Sequence, residues 1–279
     1  MINPESELAE EFWSKGRWDQ CPIIDFHAHM DESRGVFLPR ASAEAMLRSM
    51  DSAGVRLALF CGNLDLFSPA RRNSRNIAAV QRHPHRFRAY FAVNPNFYKP
   101  EDDLDLFCRH RDVFVGFKTL PDYFGYPLDH KRYEPYWEFA ERNRLIVLTH
   151  TWGGSQKDGP DQIRQVLESY PRLTLIAGHA MHGEWERAAE MARDYPGLYL
   201  DTCAVMDDRG ALELFVDVAG SEKILFGTDI PWFDYHYYIG AVLSSTVSDD
   251  EMKDIFYRNG ARLLSRFPWF EEVWSNVPT

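Results

Sequence analysis

Residues 145–180 read LIVLTHTWGGSQKDGPDQIRQVLESYPRLTLIAGHA, and they hold the repeating unit of the chain. A β-branched apolar run, LIVLT, stops at His150. A longer amphipathic stretch follows, and a second run, LTLIAG, stops at His179. Apolar runs joined by helical stretches predict parallel strands covered on both faces. The same rhythm extends in both directions. PIIDFHAH from Pro22, VRLALFCG from Val55, FRAYFAVNP from Phe87 and VFVGFKTLP from Val113 precede the stretch, and LYLDTCA from Leu198 and ILFGTDIPW from Ile224 follow it. Eight such units predict an α/β chain folded as a single-domain (β/α)8 TIM barrel. The barrel is expected over about residues 22–266, with flanking segments 1–21 and 267–279. An open doubly wound sheet is the alternative, but no GxGxxG follows any run.

Two connecting stretches carry helix signals. ASAEAMLRSMDSAG has Ser42 to cap its start, Met46, Leu47 and Met50 on one face, and Gly54 to stop it. SDDEMKDIFYRNGARLLSRF opens with a capping box, Ser248 with Glu251, and turns Met252, Ile255 and Phe256 inward.

Composition narrows the function. Lys and Arg number 31 against 42 Asp and Glu, a net charge of −11, and no basic run occurs. Such a chain repels phosphate backbones, so nucleic acid and anionic membranes are not expected partners. A small anion remains acceptable wherever a local Arg can hold it. No run approaches the ~18 apolar residues that span a bilayer. MINPESELAEEFWSKG lacks the apolar centre of a signal peptide, so a cytoplasmic location is expected. Cys21, Cys61, Cys108 and Cys203 form no CxxC pair and read as reduced thiols, with a disulfide left open. Assembly as a homodimer is also left open.

In a β/α barrel the chemistry sits at the C-terminal ends of the strands. Five of the eight runs end in a residue able to bind a metal or carry a proton: His27 and His29, Lys118, His150, His179 and Asp229. Alternate strand residues share a face, so His27 and His29 can grip one divalent ion, with Asp25 a step deeper to orient a ligand. Lys118 can bridge two metals if its amine is carboxylated, hold a substrate carboxylate as an ammonium, or pair with a neighbour. Gly116, Ala177 and Gly227, two residues before three of these positions, are small enough to leave room for a site. His83 and His85 repeat the HxH spacing but precede a strand, at the wrong end, and His110 and His130 read as surface. His182 is near enough to His179 to meet substrate, and His236 is open in the same way. Phe37, Trp152, Trp232 and Phe233 can line a flat pocket, and Arg34 can grip a carboxylate.

Taken together, DFHAH, VGFKTLP, VLTHT, IAGHA and FGTDIP resemble the metal-dependent amidohydrolase superfamily, in its amidohydrolase 2 branch, with softer echoes in MDSAGV, LYLDTCA and YRNGARLL. The resemblance runs from about Ile23 to Leu264. It implies a barrel with His27, His29, His150 and Asp229 around a primary ion, and His179 as acid/base or near-ligand. In binuclear relatives the fourth-strand Lys, here Lys118, is carboxylated and His179 takes the second ion. One ion is favoured. Zinc is expected, with manganese, iron and nickel as alternatives. The implied reaction is hydrolysis of an amide, lactone or ester in a small molecule by metal-activated water, with Asp229 moving the proton and His179 polarising the carbonyl. Non-oxidative decarboxylation of an aromatic acid at the same site is the alternative. A non-catalytic ligand-binding barrel is the third reading.

Overall fold

The structure is a computed structural model of the chain and describes residues 6–18, 20–33, 35–68, 73–205 and 208–275. Eight strands form one parallel sheet in chain order: β1 (Ile23–Met30), β2 (Val55–Gly62), β3 (Phe87–Ala92), β4 (Phe114–Thr119), β5 (Ile146–Trp152), β6 (Thr174–His182), β7 (Leu198–Asp201) and β8 (Ile224–Leu225). Each begins within two residues of the apolar run that predicts it. The sheet closes beyond the short β8. The Phe26 amide donates to Phe226 O at 2.8 Å, the Asp229 amide to His27 O at 2.7 Å, and the His29 amide to Ile230 O at 2.6 Å. The seam between first and last strand is therefore made by the segment that carries Asp229, which places that carboxylate beside β1. This is a single-domain (β/α)8 barrel.

Helix α1 (Glu7–Lys15), in the flank before the barrel, is capped by Ser6. The two predicted helix starts are present: α2 (Ala43–Ala53) is capped by Ser42, whose side chain accepts from the Ala45 amide. Gly54 ends α2 at φ 77°, in the left-handed region that an unbranched backbone enters without strain. Leu47 differs from expectation: Met46 and Met50 are fully buried, and Leu47 is half-buried at the edge of the stripe. The Ser248–Glu251 capping box also forms, but the helix it opens is not uniform. It runs as α-helix over Asp249–Lys253, π-helix over Asp254–Arg258 and α-helix over Asn259–Leu264. The wider turn coincides with Ile255 O accepting from the Phe226 amide at 3.1 Å, so this helix is tied to the closing seam.

Both flanks belong to the same hydrophobic core. Phe12 and Trp18 are buried, and Trp18 packs on Phe256 with ring centroids 4.9 Å apart. Phe270 and Val273 are buried as well. All four cysteines are free thiols, buried except for Cys108. Among the described residues, no helix is long and apolar enough to cross a membrane.

Candidate metal centre

His27 projects from β1 fully buried, and both its ring nitrogens are engaged. Its Nδ1 lies 2.7 Å from Asp201 Oδ2 and its Nε2 lies 2.8 Å from Lys118 Nζ. His29 sits one step nearer the rim, with Nδ1 donating to Cys61 O at 3.0 Å. With each Nδ1 committed as a donor, each Nε2 is left as an acceptor, that of His27 met by the Lys118 amine, which a bound ion would displace. Asp229 Oδ1 stands 3.2 Å from His29 Nε2 and 3.6 Å from His27 Nε2. Donor atoms from His27, His29 and Asp229 lie within 4.8 Å of one another. Burial, with the Lys118 charge beside them, holds both imidazoles well below their ordinary range, so the rings are neutral. Burial pushes the Asp229 carboxyl up to about 6, against the lowering pull of Lys118. Two neutral imidazoles and a carboxylate, with lone pairs converging on one point, suit a divalent ion such as zinc or manganese. These donors fit the ion that the sequence implies.

Glycine makes room for the first of these rings. A Cβ on Gly178 would meet His27 Cε1 at 2.9 Å, and one on Gly227 would meet His27 Cβ at 2.9 Å. Gly178, rather than Ala177, is thus the small residue of β6 that matters. Gly116 serves strand pairing instead, since a Cβ there would overlap the Ile146 carbonyl.

His179 and Asp229 both take positive φ, 68° and 58°, where residues with a Cβ are uncommon. Such a conformation costs about 1–3 kcal/mol and persists only when neighbours enforce it. The His179 amide donates to Asp201 Oδ1 at 2.8 Å, and the Asp229 amide is held on His27 O. His179 Nδ1 lies 3.1 Å from Cys203 Sγ, and its ring centroid is 5.0 Å from that of His27. His27, His179 and Cys203 form a second group of donors within 4.8 Å. Asp25 accepts the His27 amide at 2.9 Å and the Thr228 hydroxyl at 2.7 Å, and so clamps β1 to the seam from beneath.

His150 faces the same cavity, 4.7 Å between centroids from His179, but falls outside both donor groups. Burial, aided by the Lys118 charge, lowers it to about 3. Lys118 is fully buried; burial pulls its amine down while Asp229 and Asp201 pull it up. The cavity measures about 370 Å3, and Phe67, Tyr123, Trp152, Trp232 and Phe233 line its walls. His182 does not line it. Its ring stacks on Trp152, 4.2 Å between centroids and 9° between planes, so it backs the wall instead of meeting the cavity. His236 is spent on Gly16 O, 3.2 Å away. Phe37 is 88% exposed and does not line the cavity. Arg34 lies outside the described residues. His83 and His85 occupy the turn leading into β3, at the opposite end of the barrel.

Asp201, Cys203, Asn63 and Tyr123 were not singled out from sequence. Asp201 had a usable signal: it ends the apolar run LYLD as the other site residues end theirs. Cys203 and Tyr123 carried none, because loop shape brings them in.

A family model for amidohydrolases, the amidohydrolase 2 model, matches residues 24–266. The chain belongs to the amidohydrolase 2 family. No curated protein matches it. Solved structures resemble it in fold. An uncharacterised TIM-barrel protein from Bordetella bronchiseptica is 20% identical with a TM-score of 0.71, over 88% of this chain and 99% of that one. A dihydroxybenzoic acid decarboxylase from Polaromonas sp. JS666, solved with bound manganese and 2-nitroresorcinol, is 16% identical with a TM-score of 0.71, over 88% and 97%. A 5-carboxyvanillate decarboxylase from Sphingomonas paucimobilis is 15% identical with a TM-score of 0.68, over 88% and 99%.

Proposed function

We propose that this member of the family is a metal-dependent hydrolase of a small molecule, cleaving an amide, lactone or ester bond. The observation that carries the reading is the convergence of His27 Nε2, His29 Nε2 and Asp229 Oδ1, with Lys118, His150 and His179 facing the same cavity. His27, His29 and Asp229 would hold the ion, with His150, which lines the same cavity, as a further ligand. When bound, the ion supplies Lewis acidity and a water of lowered pKa. Both donor groups use His27, which favours one ion over two. Zinc suits the imidazole-rich set, and manganese, bound in the Polaromonas protein, is the runner-up.

The chain's own groups supply the rest. Asp229 takes the proton from the attacking water and returns it to the leaving atom. His179, its Nδ1 occupied by Cys203, turns Nε2 to the substrate carbonyl. Asp201 fixes the His27 ring and the His179 backbone together, so both keep one geometry through the reaction. Trp152, Trp232 and Phe233 exclude water from one side and offer flat surfaces to the substrate.

A second reading, non-oxidative decarboxylation of an aromatic acid, is favoured by those aromatic walls and by the decarboxylases among the fold neighbours. In it Lys118 holds the substrate carboxylate and His179 protonates the ring carbon. Elemental analysis of the purified protein comes first: a stoichiometric transition metal supports an enzyme, and its absence after reconstitution sinks both readings. Product analysis over a panel of aryl amides, lactones, esters and hydroxybenzoates then separates them. New acid with amine or alcohol means hydrolysis, and carbon dioxide means decarboxylation.

A further inference from the structure

A second cavity, larger than the one at the metal centre, is at the other end of the barrel. It measures about 540 Å3 and opens beneath the starts of β4 and β5, at Phe114 and Leu145, between the ends of helices Pro100–Arg109 and Glu134–Asn143. Its inner walls are aromatic: Phe114, Phe139, Phe267 and Trp269. Its rim is cationic. Arg111, Arg144 and Arg266 stand there against one carboxylate, Asp112. Neither Arg144 nor Arg266 makes an ion pair with a carboxylate among the described residues, in a chain with eleven more acids than bases. Arg266 is part-buried, and burial and the neighbouring Arg144 charge both lower it from its ordinary value.

The wall also holds polar atoms that the chain leaves without partners. Arg266 Nη2, Trp269 Nε1 and Arg88 Nε are buried without an acceptor. Arg88 is 4% exposed and lies over the Trp269 ring at 4.0 Å, so these two are neighbours. Asp112 and Glu272 face Arg88, two carboxylates for the four guanidiniums of this region. Orphaned buried donors are rare in folded proteins and each calls for an acceptor. Here all three are donors: Arg266 and Trp269 line the cavity, and Arg88 lies against the Trp269 ring. The rim needs negative charge, and the aromatic interior suits a flat ring.

We propose that this cavity is a binding site for an aromatic carboxylate, with the carboxylate between Arg144 and Arg266 and the ring against Phe139, Phe267 and Trp269. Guanidinium forks match carboxylate geometry, and a cavity of this size accepts a one- or two-ring ligand. The site is separate from the metal centre and does not depend on which reaction occurs there.

Calorimetric titration with 2-naphthoate, and with uncharged 2-naphthylmethanol, tests it. The informative variant is Arg144→Gly. Arg144 sits at φ 54°, where glycine is relaxed, so the change removes the charge without endangering the fold. Wild-type protein is expected to bind 2-naphthoate. In Arg144→Gly that event weakens about tenfold or more, at an unchanged or higher melting temperature. The alcohol loses a similar factor in wild type. Trp152→Ala, at the opposite rim, leaves the Arg144-dependent event in place. The proposal is overturned if 2-naphthoate does not bind, if Arg144→Gly binds it as tightly as wild type, if the alcohol binds equally well, or if Trp152→Ala abolishes the event.

Discussion

At the seam of β8 and β1, each ring that faces the cavity is fixed from behind. His27 is held by Asp201, His29 by Cys61 O, and Asp229 by its own amide on His27 O. On the β5–β6 side the side chains of His150 and Trp152 make ring contacts, to Tyr123, His179 and His182, and no hydrogen bond among the described residues. Trp152 is also 40% exposed. The difference separates two demands on one cavity. A metal set must be rigid, because donor geometry fixes affinity, and hydrogen-bonded imidazoles supply that rigidity. A recognition wall must admit and release a substrate, and stacked rings can slide where hydrogen bonds cannot.

Breaking the seam should cost most. Asp229→Asn keeps the shape and removes both the proposed anionic donor and the proposed proton carrier. Turnover should fall about a thousandfold, with metal content well below stoichiometric by elemental analysis. Full occupancy with near-normal turnover would take Asp229 out of the centre. Asp201→Asn acts one layer back. It weakens the acceptor of His27 Nδ1 and loosens the His179 backbone, and metal affinity should drop about 10–100-fold in competition with a chromophoric chelator. The wall should behave otherwise: Trp152→Ala should raise KM about tenfold and leave metal affinity alone. Equal damage to metal binding from Trp152→Ala would erase the distinction between the two sides.

The same contrast explains what could be read in advance. The eight strands were legible because burial on both faces forces continuous apolar runs, and a run's last polar residue points into the mouth. His27, His29, Lys118, His150, His179 and Asp229 all follow that rule. What was hidden depends on the connections. Nothing in sequence says that His182 turns behind Trp152, because three successive positive φ values at His179, Ala180 and Met181 redirect the chain. Cys203 enters for a similar reason, through the loop that leaves β7. The bottom cavity was equally silent, since Arg144 and Arg266 are far apart in the chain and look like ordinary surface cations.

The smallest predicted effect sharpens the comparison on the wall side. Asp158 closes the loop that follows β5. Its Oδ2 accepts the Asp122 amide at 3.2 Å, while its Oδ1 is buried without a partner. Burial pushes its carboxyl up to about 6, from an unfolded value near 3.8. Between about pH 4 and 6 the folded chain therefore holds a proton that the unfolded chain has released. Stability from this group is fully present below pH 4 and is lost as pH rises through 6. The difference should be on the order of 1–3 kcal/mol. Asp158→Asn mimics the protonated form, so its melting temperature should exceed wild type by a few degrees at pH 8 and match it near pH 4. A gap that stays constant from pH 4 to 8 would mean that the Asp158 charge is already solvated, and that the β5 loop opens to water more freely than its buried carboxyl implies.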